Sequence, residues 1–112
     1  LSAKEKEAVY LATSQVNGCD YCLAAHTLFA GKAGLSAQDI VAAREGELNA
    51  YAALAQQLTQ SRGHLNDEQI TAARAAGIDD VKIIEVIALV AVQTLTNYLN
   101  NVALTDIDFP AI

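Results

Sequence analysis

Residues 81–92 read VKIIEVIALVAV. The stretch is rich in β-branched side chains, and its type alone suits a buried strand as well as a buried helix. Its length, its alanines and a clean start at Ile78-Asp79, with Ile83 closing a hydrophobic staple, decide for a helix running to about Ala103. No other part of the chain alternates with period two over a useful length. The expected fold is therefore all-α, a single-domain bundle of about six helices over residues 1–112.

The other helix starts repeat the same chemistry. Ser2 with Glu5 makes a capping box ahead of a helix to about Val16. Asn17 is the expected cap of the next, with Asp20 at its third position, Val16 and Tyr21 as staple, and a fading end at Gly31 and Gly34. Leu35-Ser36 with Asp39 and Ile40 opens a third helix that Gly46 ends. A fourth covers about 48–61, before Ser61-Arg62-Gly63, and Leu65-Asn66 with Gln69 and Ile70 opens a fifth that stops at Gly77. Pro110 falls in the tail. Residues 35–44 (LSAQDIVAAR) and 65–74 (LNDEQITAAR) look alike, which recurrent staple chemistry explains without a duplication.

Composition narrows the function. The chain has 112 residues, 53% of them apolar but only 5% aromatic, and carries a net charge of −6. Alanine dominates, which favours helices packed closely through small side chains. A negative surface repels phosphate backbones and anionic lipid, so neither nucleic acid nor membrane is an expected partner. Residues 65–92 read helix, turn, helix, yet the second helix is too apolar and too poor in Lys and Arg to read a DNA groove. The chain opens on Leu1 rather than Met, and a few residues are expected to precede it. Lys4, Glu5, Lys6 and Glu7 stand where a signal peptide needs apolar residues, and the longest uninterrupted apolar run, Val86 to Val92, is too short for a bilayer. A cytoplasmic protein is expected. A last helix apolar nearly all round needs neighbours that so small a chain can hardly supply, and self-association is the expected answer.

The chemistry concentrates in NGCDYCLAAHT, residues 17–27, which hold the chain's two cysteines. With Asn17 as cap, Cys19 and Cys22 share a face at the first turns of a helix, within disulfide reach. The free N–H groups of a helix start favour a thiolate at Cys19, while His26, one turn beyond Cys22, can take its proton. Asp20 opposes both. Three readings stay open: a redox dithiol, a zinc site of Cys19, Cys22 and His26 completed by His64 or a carboxylate, and a pair of inert buried thiols. Glu7 shares a stripe with Leu11 and Ser14, beside Tyr10, and is either an edge charge, the commoner case because carboxylates are rarely buried unpaired, or a buried group held by a partner.

The spacing Glu7-x11-Cys19-x2-Cys22-x3-His26 resembles the signature of the AhpD-like alkylhydroperoxidases of the carboxymuconolactone decarboxylase superfamily. QVNGCDYCLAAHT and the end segment, residues 85–110, are similar to the same group. The resemblance implies a thiol peroxidase that binds no metal and no cofactor and reduces organic hydroperoxides, with hydrogen peroxide as a further substrate. It makes Cys22 the peroxidatic and Cys19 the resolving cysteine, with Glu7 and His26 as proton relay. An external dithiol, a lipoyl group in the family's best-known system, would reduce the disulfide, and the homo-oligomer would be a trimer or a hexamer of trimer type. Members that decarboxylate generally lack the cysteine pair. The chain departs from the best-known members at Tyr21, which stands where they carry a second histidine; a phenol can donate a hydrogen bond there but accepts protons poorly.

Four further residues have blander expectations. His64 reads as solvated, Asn97 and Tyr98 as helix-end packing, and Glu85 and Gln93 as bonds across subunits or as the least buried side of the last helix.

Overall fold

Every helix start in the chain is a capped one. The computed structural model describes residues 1–109, so Pro110 lies outside the described residues. They form α1 (Ala3–Asn17), α2 (Asp20–Ala33), α3 (Ala37–Arg44), α4 (Ala50–Ser61), α5 (Asp67–Ala75) and α6 (Asp80–Ala103). No strand occurs among the described residues, and residues 81–92 are helical. Ser2 with Glu5, Ser36 with Asp39 and Asn66 with Gln69 are reciprocal capping boxes, and Asn49 and Asp79 cap α4 and α6 alone.

One expectation needs correcting. Asn17 does not cap α2; it is the last residue of α1, and Cys19 is the cap. Gly18 is the reason. It takes φ +65°, a left-handed conformation that glycine adopts without steric cost, and so stops α1 after Asn17 rather than before it. α1 is the surrounded helix: it packs against α2, α3, α4 and α6. Ala8, Val9, Leu11, Ala12, Thr13 and Ser14 are all buried to the last percent. Small side chains at 8, 12 and 14 let the neighbours approach this helix closely.

α6 buries a single stripe, Val86, Val90, Gln93 and Asn97, which recur at helical spacing. Val81, Ile84, Val92, Leu95, Leu99 and Val102 on the rest of its surface are exposed. As a whole helix of 24 residues, α6 is long and apolar enough to cross a bilayer by length and composition alone. Its longest uninterrupted run understated that. Here it lies along α1, α2 and α4, with its two buried polar residues turned inward.

Candidate active site

The α1–α2 junction is what sets the two sulfurs. Gly18 N–H donates to the Gln15 carbonyl at 3.3 Å and Cys19 N–H to the Ser14 carbonyl at 3.1 Å, the paired closure of a left-handed helix end. Cys19 thus closes one helix and opens the next. Its Sγ accepts the Cys22 backbone N–H at 3.3 Å, as a cap side chain does. Cys22 is the third residue of α2. The two residues, 5.2 Å apart at Cα, are joined as a disulfide, and both are buried. Alanine at Gly18 meets no atom within 4 Å, so its cost is conformational alone. Gly18→Ala is expected to lower stability by roughly 1–2 kcal/mol, measured by urea unfolding.

Ser14 supports this junction from below. Its hydroxyl accepts Gln93 Nε2 at 3.1 Å and Asn97 Nδ2 at 3.0 Å, and Asn97 Oδ1 in turn accepts Asn17 Nδ2 at 3.0 Å. Gln93 and Asn97 therefore bond within the chain, and neither lies on an exposed face. Asn97 is fully buried, whereas its neighbour Tyr98 is exposed. Both amides donate to the one hydroxyl, so the network fixes the height of α6 against the end of α1. Glu85, two turns before Gln93 on the same helix, is half-buried.

Glu7 is not an edge charge. Its Oε1 lies 2.8 Å from His26 Nδ1, and the side chains are 14% and 15% exposed. α1 contributes the carboxylate and α2 the imidazole, one turn after Cys22. An ionised carboxylate only accepts, so such a carboxylate takes its hydrogen bond from the Nδ1 proton, and the tautomer that supplies it leaves Nε2 as an acceptor. Aromatic rings enclose this couple: Tyr10 lies 4.9 Å from the imidazole and Phe29 meets it edge-on at 5.7 Å. Burial first, then the negative charges of Glu7 and Glu85, hold the Tyr10 phenol above its ordinary pKa, so Tyr10 stays neutral here. Tyr21 packs edge-on against Phe109 at 5.4 Å, and its hydroxyl has no hydrogen bond among the described residues.

One further residue reaches the Cys22 sulfur, and another holds it. Asn100 Nδ2 lies 3.8 Å from Cys22 Sγ, and Thr105 Oγ1 donates to Asn100 Oδ1 at 2.7 Å. Sequence reading missed both, although positions 93, 97 and 100 form one polar stripe on an otherwise apolar helix. His64 is exposed in the loop between α4 and α5. Among the described residues no three His, Cys, Asp or Glu side chains gather as a metal site.

A helical bundle that carries a two-cysteine disulfide at a helix start, with a carboxylate–imidazole couple one turn on, defines a class of dithiol protein. The model of the Carboxymuconolactone decarboxylase family matches residues 1–58, and the chain belongs to that family. The matched span holds Glu7, Cys19, Cys22 and His26; residues 85–110 lie beyond it. No curated protein matches the chain.

Proposed function

We propose that the protein is a thiol peroxidase that reduces organic hydroperoxides, and hydrogen peroxide, through Cys19 and Cys22. The observation that carries the reading is the Glu7–His26 contact of 2.8 Å, made by two helices one turn from a dithiol at a helix start. Cys22 thiolate attacks one peroxide oxygen. An S–O bond forms, the O–O bond breaks, and the alkoxide leaves as alcohol after taking a proton. His26, polarised by Glu7, moves that proton and accepts the one from the Cys22 thiol. Cys19 then attacks the sulfenic acid: the S–S bond forms and water departs. An external dithiol, of lipoyl or protein type, restores both thiols. The net reaction converts ROOH and a dithiol into ROH, water and a disulfide.

The chain works as a homo-oligomer in this reading. α6 presents a row of exposed apolar side chains, and a second copy of the chain is the partner of matching chemistry.

Pre-steady-state mixing of the reduced protein with cumene hydroperoxide tests the activity. Two thiols are expected to disappear for each peroxide consumed, with both sulfurs recovered as the Cys19–Cys22 disulfide. A reaction no faster than that of a free thiol would overturn the proposal.

A further inference from the structure

We infer that Asn100 is a side-chain donor to the Cys22 sulfur, and that Thr105 positions it. The inference rests on the dithiol reading above but concerns the sulfur's protonation, not the identity of the oxidant.

The amide's orientation follows from its partners. The Thr96 carbonyl, 2.9 Å from Asn100 Nδ2, can only accept, so the NH2 end faces it. Oδ1 then faces Thr105, whose hydroxyl donates at 2.7 Å. One amide hydrogen is spent on Thr96, and the other is directed to Cys22 Sγ, 3.8 Å away. Thr105 owes its place to the end of α6. Leu104 adopts φ +52°, and Thr105 N–H closes on the Asn100 carbonyl at 3.2 Å, which folds residue 105 back over residue 100. The resulting cleft, about 360 Å³, is lined in part by Tyr21, Asn100, Thr105 and Ile107 and brings solvent to the amide.

The two sulfurs therefore differ. Cys19 Sγ receives a backbone N–H of its own helix, whereas Cys22 Sγ receives a side-chain amide from α6. A donor aimed at a sulfur favours its anion. On reduction, Asn100 stabilises the Cys22 thiolate at the position where His26 can accept its proton. The donor pattern thus distinguishes the cysteines, which helix position alone did not.

The test uses the reduced protein with Cys19→Ser, which leaves one thiol. The pH dependence of iodoacetamide alkylation gives its pKa, and stopped-flow mixing with cumene hydroperoxide gives its oxidation rate. Asn100→Leu is expected to raise the Cys22 pKa by about one unit and to slow alkylation at neutral pH roughly tenfold. Thr105→Val is expected to show part of that shift and Thr105→Ser to restore the parent value. Asn101→Ala, which removes a contact to the Asn17 carbonyl on the same helix end, leaves the pKa unchanged. The titratable residues on α1, α2, α3 and the segment after α6, Glu7, Tyr10, Asp20, His26, Asp39 and Asp106 among them, are identical in every variant. An unshifted pKa in both folded Asn100→Leu and Thr105→Val overturns the inference. Should Asn100→Leu fail to fold, Thr105→Val against Thr105→Ser decides it. A pKa shift without peroxide consumption upholds the amide–sulfur contact and sinks the peroxidase reading. Peroxide consumption without any shift does the reverse.

Discussion

Cys22→Ser is expected to abolish peroxide consumption, by roughly 10⁴-fold or more, the scale seen when an enzyme's nucleophile is removed. The hydroxyl that replaces the thiol is not ionised near neutral pH and cannot open an O–O bond. Packing should survive, because Cys22 contributes a small buried side chain and serine differs from it by one atom. Cys19→Ser has a different outcome. The first oxidation proceeds, the resolving step is lost, and turnover with a dithiol stops after one equivalent. Stopped-flow peroxide loss, followed with thiol counts, separates the two variants. Equal turnover by both would remove the dithiol cycle altogether.

The second large effect is expected at Glu7. Glu7→Gln keeps the volume and an acceptor oxygen near His26 Nδ1 but removes the negative charge, and should slow peroxide reduction about 10²-fold, the usual scale for a proton-transfer partner. His26→Ala should fall by a similar factor. The double variant should be little slower than either single one, since carboxylate and imidazole act as one unit. The two side chains meet across α1 and α2, so the thermal midpoint is measured alongside. A variant that loses stability but keeps the parent rate would make the contact a structural bond only.

Much of the fold was legible because the caps were. Ser2, Ser36, Asn66 and Asp79 announce helix starts by a mechanism that acts over four residues, and tertiary packing did not overrule it. The failures have physical causes. Asn17 looks like a cap, but Gly18 offers a left-handed stop one residue later, and the asparagine is drawn to Asn97 and Thr94 instead. α1 was hard to recognise as the central helix because alanine, serine and threonine make up most of its buried face beside Val9 and Leu11, and these small residues pack tightly without looking hydrophobic. In α6 the chain covers one stripe only, and that stripe includes Gln93 and Asn97, whose amides are bonded to Ser14.

The candidate site divides the same way. The pairing of Cys19 with Cys22 and the reach of His26 are local, three and four residues along one helix, and such relations can be read from spacing. That Glu7 meets His26 depends on two helices crossing at a given height, which spacing within one helix does not encode. Residue type favoured a solvated edge, and the pairing was expected from the family resemblance alone. Asn100 and Thr105 were invisible for a further reason: they come from the far end of the chain, and their role follows from how α6 terminates.

The central claim is that the peroxide oxygen is delivered to Cys22. It is tested most directly by treating reduced Cys19→Ser protein with one equivalent of cumene hydroperoxide in the presence of dimedone, then mapping the adduct by peptide mass spectrometry. The expected result is a single adduct on Cys22, formed far faster than on free cysteine. A protein left unmodified, or labelled no faster than a free thiol, would contradict it.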